Sequence, residues 1–179
     1  MSAERDPKQH AGSLRLLIAL VALGLAFYWF GRRSSGPEAG APAKDFSLVV
    51  VAGTSGRVSL ADLRGRPALI EVVASWCGVC RRAAPVLAAA AQAPRQREVR
   101  FLAVSVDDDP SVARALAREW HIPYDVAHDD GSFARSYGVS LLPTFVLIDA
   151  AGTVRQVATG APSPESVERW LSEVGAGRR

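Results

Sequence analysis

The chain holds two cysteines, and both lie in one stretch, Trp76-Cys77-Gly78-Val79-Cys80. Two thiols three positions apart can pass between dithiol and disulfide within a single helical turn. A purely structural bridge at this spacing would do little, because a ring closed over two intervening residues restrains very little chain. A structural zinc site needs about four ligands, and besides the two thiols the chain has three scattered histidines, none next to the pair. Redox chemistry is the reading that uses both residues. From Cys77 onward, Val79, Ala83, Val86, Leu87 and Ala90 recur at helical spacing, so a helix is predicted over 77–92, with Pro85 bending it. Cys77 then stands at a helix N-terminus, where unpaired N–H groups and the dipole favour an anion. Only the thiolate is nucleophilic, and an ordinary thiol with a pKa of about 8.5 is mostly protonated at neutral pH. Cys77 is therefore expected to be the attacking thiol. Cys80, one turn further in, is expected to resolve the mixed disulfide.

A second residue calls for chemistry. Glu71 interrupts the apolar run RPALIEVVAS, six residues before Cys77. With Leu69, Ile70, Val72 and Val73 around it, the run reads as a strand buried on both faces. A carboxyl group buried there has a raised pKa and can accept the Cys80 proton as that thiol attacks. The competing reading is a strand-edge glutamate turned to solvent. His121 and His128 flank a later segment and are expected to serve as loop or strand-end residues rather than in catalysis.

The elements that must position these groups follow from the same patterns. DFSLVVVAG and VSLADLRG read as strands joined by the turn TSGR, the second running into a turn of helix. EVRFLAVSVDDD is another buried strand, and DPSVARALAREW is a helix opened by Asp109 and Pro110. PYDVAHD is extended and GSFARSYG a short helix. PTFVLIDAAGTVRQVATG is a hairpin, and SPESVERWLSEVG closes the domain as a helix with Gly175 after its end. The order predicts an α/β fold: a mixed sheet with helices on both faces. The cysteines fall at the carboxyl end of a central strand, where open α/β sheets place their sites.

Upstream, LRLLIALVALGLAFYWF covers residues 14–30. About 25 Å of helix is at the short end for crossing a bilayer, with Tyr28 and Trp29 suited to an interface and Arg15 able to snorkel. The expected organisation is a cytoplasmic tail at 1–13, a transmembrane helix or signal anchor at 14–30, a flexible linker at 31–44 and one globular domain at 45–179. A cleaved signal peptide is the rival, with AGA and APA as small-residue sites. Basic residues are balanced across the span, so charge does not orient it. Net charge is +3, of which the first 45 residues hold two, so the domain has no basic footprint for nucleic acid.

On Ser75-Trp76-Cys77-Gly78-Val79-Cys80-Arg81 and on YGVSLLPTFVLIDAAGTVRQVATG, the chain resembles the thioredoxin superfamily, and more narrowly the membrane-anchored bacterial TlpA, ResA and CcmG type. The resemblance covers about residues 45–174. It implies a thioredoxin-like fold with an N-terminal β-hairpin and an inserted helix–strand segment, here DPSVARALAREWHIPYDVAHD. It implies a thiol–disulfide oxidoreductase without a cofactor, working outside the cytoplasmic membrane on protein thiols and disulfides of exported substrates, apocytochrome c among them, and served by a membrane electron donor or acceptor. Reduction is the direction the resemblance favours. A disulfide-forming oxidase of the same fold is the alternative, as is a copper or metal delivery module, against which stands Met1 as the sole methionine. A non-catalytic assembly factor is a further class. By resemblance Pro143 is the cis-proline beside the cysteines, Leu142 and Thr144 join it in substrate binding, and Trp76 belongs to an apolar docking surface; simple packing is the other reading of Trp76. The Gly78–Val79 pair lacks the proline of thioredoxin. Glu71 matches the buried acid of thioredoxin itself, whereas many TlpA-type proteins carry a glutamate at the position of Ala83.

Overall fold

The computed structural model describes residues 18–25, 36–54, 56–94 and 98–175. A helix, α1, occupies 18–25, with Ile18, Leu20, Val21, Leu23 and Leu25 exposed. Among the described residues no helix is long and apolar enough to cross a membrane. The remainder of the span expected over 14–30 lies outside the described residues, as does the tail at 1–13.

The domain is a seven-stranded mixed sheet in the order β2-β1-β5-β4-β3-β6-β7. Its strands are β1 (Ser47–Ala52), β2 (Arg57–Ser59), β3 (Ala68–Val73), β4 (Arg100–Ser105), β5 (Asp125–His128), β6 (Thr144–Ile148) and β7 (Val154–Thr159). β3, β4 and β5 run parallel, and the remaining neighbours pair antiparallel. The helices are α2 (Leu60–Leu63), α3 (Gly78–Gln92), α4 (Pro110–Glu119), α5 (Ser132–Ser136) and α6 (Pro164–Gly175). The expected N-terminal hairpin is β1–β2, and the inserted segment is α4–β5, with β5 seated between β1 and β4. Gly175, expected just past the last helix, is its final residue.

Side chains alternate along a strand, and β3 sorts its residues accordingly. Ala68, Ile70 and Val72 face a core with Leu60 and Leu63 of α2 and Phe133 of α5. Leu69 packs on the opposite face with Ala83 and Leu87 of α3, Phe145, and Trp170 and Leu171 of α6. Val73 packs on that same face with Cys77, Cys80, Ala84 and, from α4, Leu116 and Ala117. Parallel strands covered on both sides read as unbroken apolar runs for this reason. α4 begins as expected, Asp109 accepting the Ser111 N–H at 2.7 Å with Pro110 in the first turn. α3 continues through Pro85.

Residues 36–44, expected to belong to the flexible linker, are part of the domain instead. Gly40 N–H donates to Val154 O (2.7 Å), Val154 N–H to Ala41 O (2.9 Å) and Ala43 N–H to Gly152 O (2.8 Å). This pairing satisfies the backbone of the segment on the β6–β7 turn, and residues from Gly36 onward belong to the domain's compact unit. Composition alone, rich in Gly, Ala and Pro, carries no trace of such pairing.

Leu87 anchors α3 to the sheet and is wholly buried. Leu87→Ala is expected to lower stability by about 2–5 kcal/mol through lost transfer energy and the cavity left behind. Urea unfolding at neutral pH measures it, and a loss below about 1 kcal/mol would contradict this packing.

Candidate active site

The site is built where β3 ends. Cys77 is the N-cap of α3, with φ −83° and ψ 96°, and its Sγ accepts the Cys80 backbone N–H at 3.1 Å. A helix N-terminus needs an acceptor for its unpaired N–H groups, and here a sulfur supplies it. That contact favours a thiolate at Cys77 in the reduced state. Cys77 and Cys80 form a disulfide with Cα atoms 5.3 Å apart. Cys77 keeps 7% of its surface and Cys80 none, so an incoming sulfur reaches Cys77 first. Cys80 lies among Val73, Ala84, Ala103, Leu116 and Trp120, and apolar surroundings of this kind disfavour a bare thiolate.

The loop between β3 and Cys77 is held from below. Ser75 N–H donates to both Asp107 carboxylate oxygens (3.2 and 3.0 Å) and Ser75 Oγ–H to Oδ1 (2.8 Å). Ser105 Oγ–H donates to Asp107 Oδ2 at 2.7 Å, and Cys77 N–H closes a turn onto Ala74 O at 3.0 Å. His128 Nε2 lies 2.8 Å from Asp107 O. Asp107 thus ties the carboxyl ends of β3, β4 and β5 together at Ser75, two residues before Cys77. It is the clearest site residue that sequence reasoning missed. The signal was positional: β3 and β4 are parallel, with Val73 opposite Ser105, so residues just past each strand must meet. The two histidines fill the expected places, His128 at a strand end and His121 in the turn after α4 with φ 53°.

The second wall comes from β6. Val72 pairs with Thr144 in antiparallel register, so residues 141–143 emerge at the sheet end that carries Cys77. The Leu142–Pro143 bond is cis, as the resemblance implied. Leu142 is half-buried against the cluster that holds both cysteines. Pro143 is buried, and its carbonyl accepts Gly160 N–H at 3.0 Å. Thr144 is buried too, its hydroxyl donated to Leu141 O at 2.7 Å; its side chain braces the loop. Trp76 and Leu141 are 73% and 63% exposed, so the indole is not packed into the domain. Trp76 and Leu141 are thus large apolar side chains left in solvent on the loops that carry the cysteine pair and the cis-proline, and Leu141 is one that the sequence did not single out.

Glu71 is buried, 1% exposed, on β3. Alternation puts it on the α3 face, between Leu69, which meets Ala83, and Val73, which meets Cys80. Its register partners are Ala103 and Phe145. The strand-edge reading therefore fails. Oε1 accepts the Tyr124 hydroxyl at 2.7 Å, and Oε2 has no hydrogen-bond partner among the described residues. Burial raises its pKa to about 7, opposed by the Tyr124 hydrogen bond. Burial, and then the Glu71 charge, push the Tyr124 phenol well above its ordinary range. Ala83, buried beside Leu69 and Leu87, takes the helix position where the resemblance expects an acid; here the acid rises from the strand beneath. A carboxyl near neutrality under a helix whose buried thiol must lose a proton is placed for general acid–base work. Among the described residues, no group of three or more His, Cys, Asp or Glu side chains could hold a metal ion.

This arrangement finds its counterparts among known proteins. The Redoxin family profile matches residues 38–171. The chain is 29% identical over 161 residues to thiol-disulfide oxidoreductase ResA of Geobacillus kaustophilus, covering 89% of this chain and 91% of that protein. It is 33% identical over 158 residues to thiol:disulfide interchange protein DsbE of Xylella fastidiosa, covering 87% and 79% respectively. A solved Chlorobium tepidum structure, described as a DsbE-type interchange protein, superposes with a TM-score of 0.70 at 29% identity, over 78% of this chain and 99% of that one. The match extends well beyond the cysteine pair across the whole domain: the chain belongs to the Redoxin family, with a thioredoxin-like fold, and is a thiol–disulfide oxidoreductase of the ResA and DsbE type.

Proposed function

We propose that the protein is tethered to the cytoplasmic membrane by the apolar segment 14–30, faces the extracytoplasmic side, and reduces disulfides in exported proteins, apocytochrome c being one substrate that fits. The observation that carries the exchange chemistry is the asymmetry of the pair: a helix-capping Cys77 that solvent reaches, and a Cys80 wholly buried on the sheet face to which alternation also assigns Glu71. In the reduced protein the Cys77 thiolate attacks a substrate disulfide. A Cys77–substrate S–S bond forms, and the other substrate sulfur leaves as a thiolate that takes a proton from water. Cys80 then yields its proton to Glu71 and attacks Cys77 Sγ. The intramolecular disulfide forms and the second substrate sulfur leaves, so two electrons have passed to the substrate. The oxidised form described here is the product state, and a membrane dithiol donor returns it to the start. Trp76, Leu141 and Leu142 receive the substrate chain, while Pro143 and Thr144 hold that loop in place. Exposed apolar side chains along α1 support a lipid environment for that segment.

A reporter enzyme active only after export, fused behind Arg179, is expected to be active; inactivity of an expressed fusion would contradict the orientation. Acid-quenched alkylation of whole cells should find the pair mainly as the dithiol. A pair held mainly as disulfide would point to the oxidase instead.

A further inference from the structure

Glu71 is held by a group that the exchange reaction, as read above, does not use. Tyr124 lies just before β5, on the inserted α4–β5 segment, and is half-buried. Its ring packs against Phe101 with centroids 5.5 Å apart, and it borders both clusters on the α3 face of the sheet. Its outer side lines a surface cavity of about 480 Å³ with Phe101, Ile122 and Asp125. Its hydroxyl reaches inward to Glu71 Oε1 at 2.7 Å, while Oε2 is buried with no hydrogen-bond partner among the described residues.

The two carboxyl oxygens are therefore not equivalent. A phenol O–H donating to Oε1 makes that oxygen the poorer place for a second hydrogen. We propose that Tyr124 is a positioning residue for the resolving step: by donating to Oε1 it fixes the carboxyl group and leaves Oε2 as the atom that receives the Cys80 proton. The inference rests on the reading of Glu71 as proton acceptor.

The surroundings leave Tyr124 as the polar handle on this carboxyl. β4 offers Ala103 and Phe101, β6 offers Phe145, and α6 offers Val167, Trp170 and Leu171. From α4 come Leu116 and Ala117, and from its C-cap Trp120. Among the described residues, the titratable side chains in or against these two clusters are Tyr124 itself and, at the start of α3, Cys77 and Cys80. The charged side chains of the covering helices lie at the surface: Arg81 of α3 and Glu119 of α4 pair at 2.8 Å in solvent, and Arg82 of α3, Arg114 and Arg118 of α4 and Glu165, Glu168, Arg169 and Glu173 of α6 are exposed. Asp107 is committed to Ser75 and Ser105, and Asp125 to Thr54. A hydrogen bond from a neutral phenol stabilises the carboxylate without placing a cation in the core. It opposes the effect of burial, and so holds the acid near neutrality rather than above it.

Tyr124→Phe removes one oxygen and keeps the ring against Phe101. In the full chain, with selectively 13C-carboxyl-labelled glutamate, the Glu71 titration should move up by about one pH unit, the scale of one lost hydrogen bond to a charged group. The lower limb of the pH–rate profile for resolution should move up with it, slowing resolution at pH 7 several-fold, while the first attack by Cys77 stays within two-fold. In a Glu71→Gln background the same change should leave the resolution rate unaltered. Site-specific replacement of Tyr124 by 3-fluorotyrosine, a stronger donor of nearly the same shape, should move both quantities down, and it tests the idea even if the phenylalanine variant folds poorly. If Glu71→Gln slows resolution but the Tyr124 variants move neither the titration nor the limb, or move the titration alone, the positioning role is overturned and the acceptor role stands. If Glu71→Gln itself leaves resolution unchanged, the acceptor reading falls and this inference with it.

Discussion

Cys77→Ser is expected to abolish dithiol exchange, leaving at most the background rate of a single poorly reactive thiol, whereas Cys80→Ser is expected to react once and stop as a mixed disulfide. The difference follows from where the two sulfurs sit on α3. Cys77 Sγ occupies the N-cap and accepts the Cys80 N–H at 3.1 Å, the position at which a negative charge is stabilised by free N–H groups and the dipole. It also keeps the pair's only accessible surface among the described atoms, 7% against none. Cys80 cannot meet a bulky disulfide, but it stands within bonding distance of Cys77. In single-turnover exchange with a disulfide-bonded peptide, Cys80→Ser should show the first attack at near wild-type rate and a covalent adduct of one peptide half. Cys77→Ser should show neither. An adduct of comparable yield on Cys77→Ser would reverse the assignment.

Glu71→Gln is expected to alter both the pH dependence of stability and the second chemical step. Burial raises the folded-state pKa of Glu71 from 4.5 to about 7. Between those values the folded state binds a proton that the unfolded state has lost, so stability falls as pH rises through the interval and stays lower above it. About two and a half pH units correspond to roughly 3 kcal/mol. Glutamine does not titrate, so urea unfolding of the oxidised protein should show the variant gaining on the wild type by that order between about pH 4.5 and pH 8. At acid pH the variant should be no more stable than the wild type, because one amide group is then buried with an incomplete set of partners. The chemical consequence is separate. Without its acceptor, attack by Cys80 should slow by about a hundred-fold, the lower end of what a positioned base contributes, while attack by Cys77 should be little affected. A parallel pH–stability profile together with a wild-type resolution rate would remove Glu71 from the mechanism.

The legible and illegible parts of this molecule divide along a physical line. Local pattern exposes what a residue's own neighbours determine. The β-branched run around Glu71 announced a strand buried on both faces, Asp109-Pro110 announced the start of α4, and the helical spacing after Cys77 placed that cysteine at a helix N-terminus, where it indeed acts as the cap. The burial of Glu71 could be read in the same way. Its partner could not: Tyr124 is 53 positions away, and no periodicity connects them. Asp107 was hidden similarly, since DDD after a strand looks like a solvated run until parallel β3 and β4 bring Ser75 and Ser105 to it. The Gly- and Pro-rich segment before Asp45 has the composition of a linker, yet its backbone pairs with the β6–β7 turn. Each of these depends on which strands lie side by side, and side-chain composition encodes that only weakly.

The central claim is that the two sulfurs have unequal roles set by their place on α3. It is tested most directly by alkylating the reduced full chain with iodoacetamide under pseudo-first-order conditions from about pH 5 to pH 9, with each site's rate read by mass spectrometry. The account predicts that Cys77 is modified with an apparent pKa below the ordinary thiol value of about 8.5, and that Cys80 is modified far more slowly across the range. Faster modification of Cys80 than of Cys77 at pH 6 would contradict it.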